Sequence, residues 1–256
     1  MQIVVLGSGC ALASKSRGPA GYLVRSMDSV LLMDCGSGTL QRMARSGVVP
    51  VDLAGIFISH AHLDHIGDLT AILFMLHLPE QERADDLLIH AGPGMGKILE
   101  GLQGVFGEWL TPSGCALHAL EHQEGRFEVG ELLCEVRPVQ HHSSSIGIRV
   151  RGADGCTVAY LGDTDLCDEA VELCRGVDLA IMECSLTDDD DRPGHLNPKR
   201  IAELARRAKP EGLLISHLYP ETAELDIPAL LESHGCRIPA AVAFDGMGIA
   251  IDPPAH

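Results

Sequence analysis

The sequence predicts a layered α/β fold with helices outside the sheets. Three observations predict it. Short aliphatic and β-branched runs of strand length come in series early in the chain and later alternate with helical patterns. No long linker or low-complexity tract divides the 256 residues. With 46% hydrophobic and 21% charged residues, the chain suits one domain over 1–256 with a sizeable core, and 4% aromatic content leaves that core to aliphatic packing.

Taken in order, "QIVVLG", "GYLVRS" and "VLLMD" read as strands broken up by Gly, Ser and Pro. "GTLQRMARSG" reads as a helix that stops at glycine, and "LAGIFIS" as a buried strand. Ile66, Leu69, Leu73 and Leu76 then recur at helical spacing. "DLLIHAG" is a strand and "GMGKILEGLQGVFG" a helix. "FEVGELLCEVRPV", "IGIRVRG", "TVAYLGD" and "DLAIMEC" continue as strands. "NPKRIAELARRA" is a helix that Asn197 can cap, with Pro198 in its first turn and Ile201, Leu204 and Ala208 on one face. "GLLIS" is a strand, and "AAVAFDGMGIAI" closes the chain. The tripeptide "ISH" ends a strand twice, at Ile58–His60 and Ile215–His217, an echo that suggests two similar halves.

Composition bounds the function. The balance of 36 acidic to 19 basic residues gives a formal charge of −17. A duplex-binding protein needs a basic face, so the charge argues against a nucleic-acid partner and suits bound cations. The acidic run Asp188–Asp191 reads as a solvated loop. Nine cysteines, an odd number without C-x-x-C spacing, point to a reducing compartment rather than a disulfide framework. "MQIVVLGSG" has no basic leader region and no apolar stretch reaches spanning length, so the expected location is cytoplasmic, with no membrane partner. Two nucleotide-like motifs fail in detail. "GSGCAL" has Leu12 in place of the third glycine. "AGPGMGK" begins with Ala91 in place of glycine and is followed by Ile98 rather than Ser or Thr.

The strongest signal is "ISHAHLDHIGD", which packs His60, His62, Asp64 and His65 into six residues. At this composition a chance H-x-H-x-D-H arises with a probability of roughly 0.002, so metal binding is the expected role. Residues two apart at a strand end share a side, which lets His60 and His62 bind one ion. The chain then turns into a helix and aims Asp64 and His65 elsewhere, so a second ion is natural. Two sites need further ligands. Candidates that follow strands are His141 or His142 in "VQHHSSSIG", Asp163 in "YLGDTD" and His217 in "LISHLYP".

With these segments in place, the chain resembles the metallo-β-lactamase-fold hydrolases along nearly its whole length, through "LGSG", "LLMDCGSG", "SHAHLDHIGDL", the His141 segment, "YLGDTD", "LISH" and "DGMGI". The resemblance implies a four-layer αβ/βα sandwich with a dinuclear site at one edge. It implies that His60, His62 and His141 hold one ion, that Asp64, His65 and His217 hold the other, and that Asp163 bridges them. His141 is favoured over His142 because the family pattern has a small residue four positions on and glycine six on, here Ser145 and Gly147. Two divalent ions are the expected cofactors; imidazole and carboxylate ligands suit zinc, and also manganese or iron. A zinc ion takes the pKa of water from about 15.7 to about 7, roughly 12 kcal/mol toward hydroxide at neutral pH, so attack by a bridging hydroxide needs no side-chain nucleophile.

Within that family the chain resembles the ribonuclease Z-like branch. There, a glutamate after the bridging aspartate and a histidine before the last ligand deliver a proton; Glu183 and His195 match those positions, and Asp64 belongs to the same catalytic centre. The loop "SGCALASKSRGPAGYLV" offers Lys15 and Arg17 to an anionic substrate, and Ser143 and Ser145 beside His141 can donate to phosphate oxygens. Two departures argue against tRNA processing. The interval from His141 to Asp163 is 22 residues, too short for the long tRNA-gripping arm, and "HLN" stands where ribonuclease Z has His-Ser-Thr. The expected activity is hydrolysis of a small phosphodiester such as a cyclic nucleotide. The rivals are a lactone, thioester, β-lactam or sulfate-ester hydrolase, tRNA 3′ processing, and an iron oxidoreductase, against whose diiron form His62 argues. Dimers are common in the family, so the resemblance leaves room for a homodimer.

Overall fold

Aliphatic side chains buried on both faces of their strands build two seven-stranded sheets. In the computed structural model, which describes residues 1–253, the first half runs β1 (Gln2–Gly7), β2 (Gly21–Ser26), β3 (Ser29–Cys35), α1 (Thr39–Arg45), β4 (Gly55–Ile58), α2 (Leu63–Ile66), α3 (Leu69–His77), β5 (Leu87–Ala91), α4 (Met95–Phe106) and β6 (Leu117–Glu121). The second runs β7 (Gly125–Val129), β8 (Leu132–Pro138), β9 (Ile146–Arg151), β10 (Thr157–Tyr160), α5 (Asp168–Leu173), β11 (Leu179–Glu183), α6 (Pro198–Ala208), β12 (Leu213–Ser216), α7 (Pro220–Ala223), α8 (Ile227–Ser233), β13 (Ala240–Val242) and β14 (Gly248–Ala250). Residues 254–256 of the expected domain lie outside the described range.

The sheets have the orders β14-β1-β2-β3-β4-β5-β6 and β13-β12-β11-β10-β9-β8-β7. Each joins an antiparallel part to a parallel run: β3 to β6 in the first, β10 to β13 in the second. Strand alternation divides the core into three. Ile3, Val5, Tyr22, Val24 and Phe57 meet Val136, Ile148, Val158 and Ile181 between the sheets. Val4, Leu6, Leu23, Leu32, Ile56 and Ile58 face the opposite way, onto Met43, Leu69, Leu73 and Leu99 of α1, α3 and α4. On the far side Ala159, Met182 and Ile215 pack against α5, α6 and α8 through Val171, Ile201, Leu204 and Leu231. Three apolar layers between four structural layers make the αβ/βα sandwich that the resemblance implies.

Local chemistry explains the differences from the sequence reading. The helix expected after His65 comes in two pieces, α2 and α3, interrupted at Gly67–Asp68, where Asp68 N donates to the Cys35 carbonyl. "FEVGELLCEVRPV" folds as the β7–β8 hairpin, turned at Gly130 with φ 55. Asn197 caps α6, its Oδ1 accepting from Arg200 N at 2.9 Å. The closing segment splits between the sheets: β13 pairs with β12 and β14 with β1. The "ISH" echo is spatial as well: β4 and β12 each end in one sheet and deliver His60 and His217 to the same edge, beside Asp163. Asp188 and Asp190 are less free than a solvated run implies: Asp188 accepts from Lys199 N and His234 Nε2, and Asp190 pairs with Arg192.

Candidate metal centre

Ligands in open α/β sheets sit outside the carboxyl ends of the strands, and this edge gathers the titratable side chains. His60 follows β4, His141 follows β8, Asp163 follows β10, Glu183 ends β11 and His217 follows β12. His62 and Asp64 lie at the start of α2, His65 within it. Tight backbone brings them together. Gly162, at φ 60, passes so close to Ser59 that an added Cβ would lie 2.6 Å from its Cβ. His217 itself sits at φ 50, a left-handed conformation uncommon outside glycine that clusters at functional sites.

Three groups of ligand atoms result, two of them made of the expected ligands and a third of Asp163, Glu183 and His195. His60, His62, His141 and Asp163 offer atoms within 4.8 Å of one another, and so do Asp64, His65 and His217. His62 Nδ1 lies 3.0 Å from His60 Nε2 and 3.2 Å from His141 Nε2. In the second group His217 Nε2 is 3.3 Å from both His65 Nε2 and Asp64 Oδ2. Asp163 stands between the groups. Its Oδ1 is 3.4 Å from His65 Nε2 and from His217 Nε2, whereas Oδ2 is 3.9 Å from His60 Nε2 and from His141 Nε2.

This donor set fits divalent cations. Ring nitrogens about 3.3 Å apart match the edge of a tetrahedron with zinc–nitrogen bonds of about 2.0–2.1 Å. The buried Oδ1 of Asp163 lacks a hydrogen-bond donor, a costly state that a cation relieves. Burial and the neighbouring charge of His65 drive His60 far below its ordinary pKa, which keeps it a neutral ligand. Burial opposes protonation of His65 and His217 too, but Asp163 outweighs it, with Asp34 at His65 and Asp64 at His217, and both are raised. The carboxylates thus draw positive charge onto this edge, and metal binding would displace protons from it.

The other ring nitrogens are held from behind. His65 Nδ1–H donates to Asp34 Oδ2 at 2.6 Å, and His141 Nδ1–H donates to the Gly194 carbonyl at 2.9 Å. His60 Nδ1 faces Ser59 Oγ and His217 Nδ1 faces Ser185 Oγ, each at 3.1 Å. Asp34 also accepts from Tyr160 OH, Ser59 N and Ser59 Oγ. Sequence reasoning missed these supports because single contacts between distant residues leave no spacing pattern; only "LLMDCGSG" hinted at Asp34.

His195 and Glu183 adjoin the cluster. His195 Nδ1–H donates to both Glu183 oxygens, at 2.9 and 3.1 Å, and its ring centroid is 4.7 Å from that of His141. Burial and Asp163 push the Glu183 carboxyl up; burial would lower His195, but Glu183 overrides it and holds the imidazole above its usual value. Both shifts favour a proton held between the two groups. Tyr219, absent from the sequence reading, stands with its ring 6.0 Å from those of His195 and His217.

The suggested substrate contacts fare unevenly. Lys15 and Ser143 are exposed. The Arg17 guanidinium is engaged by Ser8 Oγ and the Ala243 carbonyl, which ties it to the fold. Ser145 Oγ accepts from His142 N, a turn contact, and His142 Nδ1 turns to Ser144 Oγ rather than joining either ligand group. A cleft of about 350 Å³ opens beside His141, His142, Asp165 and Gly194. A larger one of about 600 Å³, lined by Arg126, Glu135, Arg149 and Arg151, shares no residue with the cluster. His77, His90, His118 and His122, which showed no partner in the sequence, bond to Thr111 O, to each other (His90 with His122) and to Asp86. Among the described residues no helix is long and apolar enough to cross a membrane.

Known proteins resemble this chain in sequence and in fold. Residues 30–218 match the family described as the beta-lactamase superfamily domain. The chain is 29% identical over 234 residues to the uncharacterized protein ML1173 of Mycobacterium leprae, covering 89% of this chain and 81% of that one. It is 24% identical over 301 residues to a ribonuclease Z of Methanosarcina acetivorans, covering 98% of each. Its fold is that of the metallo-beta-lactamase fold protein YhfI of Bacillus subtilis (TM-score 0.79, 21% identity, 97% and 98% covered) and of the short form of human tRNase Z (0.77, 22%, 98% and 99%). A diphosphatase of the PhnP family also superposes (0.70, 18%, 97% and 96%). Between His141 and Asp163 there is only the β9–β10 hairpin, with no tRNA-binding arm.

Proposed function

Because the chain belongs to the beta-lactamase superfamily, as a ribonuclease Z-like hydrolase without the tRNA-binding arm, we propose that it is a dinuclear metal-dependent phosphodiesterase acting on a small anionic ester such as a cyclic nucleotide. His60, His62 and His141 would hold one ion, Asp64, His65 and His217 the other, and Asp163 both. When bound, two divalent ions would supply a Lewis acid for the phosphoryl oxygens and a water of lowered pKa. The chain's residues do the rest.

The observation that carries the reading is the Glu183–His195 pair set against the ligand cluster. Glu183 also accepts from Thr164 N at 2.8 Å, which fixes the carboxylate. Two hydrogen bonds to one carboxylate fix His195 Nδ1 as the inward nitrogen and leave Nε2–H as the donor to a departing oxygen. Proton delivery is what an alkoxide leaving from phosphate requires. The Tyr219 ring stands 6.0 Å from that of His195, on the side where a departing group would meet the acid. The PhnP-family diphosphatase and the ribonuclease Z relatives, named for hydrolysis at phosphorus, support the same broad class.

The test is turnover of bis(p-nitrophenyl) phosphate by protein reconstituted with zinc, manganese or iron. Turnover that a chelator removes and metal restores is expected; none with any of the three metals refutes the reading. A second expectation concerns Asp34. In Asp34→Asn the new amide presents N–H either to His65 Nδ1–H and Tyr160 OH, which share Oδ2, or to Ser59 N at Oδ1, so at least one donor loses its acceptor and the support of His65 is loosened. Such loss of orienting partners weakens metal affinity about 10- to 100-fold. Competition with a fluorescent zinc chelator measures it, and unchanged affinity would deny Asp34 that role.

A further inference from the structure

The loop that presents His195 converges on one guanidinium. Arg200, in the first turn of α6, donates from Nη1 to the carbonyls of Arg192 at 3.0 Å and His195 at 2.9 Å, and from Nη2 to that of Asp191 at 3.1 Å. Its Nη1 is also 3.3 Å from Asp165 Oδ1. Asp165 in turn accepts from Gly194 N at 3.2 Å through Oδ2, and its own N–H donates to the Gln140 carbonyl at 2.8 Å. The next carbonyl in the loop, Gly194 O, takes the Nδ1–H of His141. Gly194 adopts φ 89, and an added Cβ there would stand 3.2 Å from His141 Nδ1, so the loop is drawn tightly over the site.

We infer that Arg200 and Asp165 act as a positioning clamp that seats the His195 imidazole for proton donation. The inference rests on the proton-donor role proposed for His195. Neither residue belongs to a ligand group or to the Glu183–His195 pair, yet both hydrogen-bond the 194–195 segment directly. A guanidinium suits the task because its planar fork of five N–H donors serves several carbonyls and a carboxylate at once; an ammonium is a point donor. Its side chain is only 21% exposed, so these bonds compete weakly with water. The metal ligand His141 has separate support: Val139 N donates to Ser145 O across its own turn. Because Gly194 O in the same loop also takes His141 Nδ1–H, the variants are compared at saturating zinc, with the ion content of each measured.

The experiment compares zinc-loaded wild type with Arg200→Ala, Arg200→Lys and Asp165→Asn on two esters. Bis(p-nitrophenyl) phosphate releases a stable anion that needs no proton; 3′,5′-cyclic AMP releases an alkoxide that does. A misplacement of about 1 Å costs on the order of 100-fold, so Arg200→Ala should lose about that factor in kcat on the cyclic nucleotide, and only a few-fold on the aryl ester, at matched zinc content. Arg200→Lys and Asp165→Asn should show the same selectivity at smaller size, and they decide the matter if Arg200→Ala does not fold. The imidazole N–H proton shared by His195 and Glu183, assigned in ¹⁵N-histidine-labelled protein against His195→Ala, should broaden or vanish in the variants. Equal losses on both esters, no loss on either, or an unchanged His195 resonance overturns the clamp. If the wild type turns over neither ester, the phosphodiesterase reading is what has failed; if it turns over only the aryl ester, cyclic AMP is not its substrate; in both cases the resonance alone decides the clamp.

Discussion

If the proposed dinuclear phosphodiesterase reading holds, Asp163→Asn should lower phosphodiester turnover by about 1,000-fold or more, equivalent to about 4 kcal/mol in the barrier, and should cut bound metal from two ions per chain to one or none. The reason lies in how its oxygens are shared. Oδ1 faces His65 and His217 at 3.4 Å, and Oδ2 faces His60 and His141 at 3.9 Å, so one carboxylate serves both ligand groups. Asparagine preserves the volume but offers one oxygen and no charge, so it can satisfy one group only. Asp163 is buried, and burial raises a carboxyl pKa, yet His217 and His65 hold it well below its ordinary value. The carboxylate is therefore ionised and available at any working pH. Elemental analysis of metal-reconstituted wild type and variant reads the stoichiometry directly, and circular dichroism confirms the fold. Two ions and wild-type turnover in the variant would remove Asp163 from the bridging role and the dinuclear reading with it.

Much of this centre is legible in the sequence because its densest part is contiguous. His60, His62, Asp64 and His65 declare themselves by spacing, and strand-end geometry anticipates that they divide between two directions. The strands β1 to β4 are legible as aliphatic runs because both faces are buried. Asn197 and Pro198 announce the start of α6 through local capping chemistry. What stays hidden depends on tertiary neighbours. β13 and β14 have three residues each, and only pairing with β12 and β1 defines them. The short helices α5 and α8 lack the length for a clear period. Asp34 reaches His65 across 31 residues and Tyr160 reaches Asp34 across 126, contacts that no motif encodes. Arg17 shows the limit from the other side: its Nη1 donates to the Ser8 hydroxyl and the Ala243 carbonyl, contacts the loop sequence does not encode.

His195→Ala separates substrates by their leaving groups. A positioned general acid contributes about 100- to 10,000-fold where the departing oxygen must be protonated; kcat for 3′,5′-cyclic AMP should fall by that order, and kcat for bis(p-nitrophenyl) phosphate by only a few-fold. The alternative role for His195 is that of a ligand, since Asp163, Glu183 and His195 also place ligand atoms within 4.8 Å of one another. The two roles predict different outcomes. A ligand's removal loses metal and slows both esters alike, whereas an acid's removal leaves the ions in place. The hydrogen-bond pattern favours the acid. Nδ1 is the nitrogen near Asp163, at 4.0 Å, and its proton already goes to Glu183 at 2.9 Å. Coordination there would expel that proton and break both bonds to Glu183, leaving a buried carboxylate with only the Thr164 N–H, which is a costly state. Glu183→Gln adds an internal check. The amide keeps one acceptor for Nδ1–H but no charge to hold the imidazole protonated, so its loss on the cyclic nucleotide should be smaller than that of His195→Ala, and the double variant should be no worse than His195→Ala alone. Additive losses would show two independent roles in place of one proton-delivering unit.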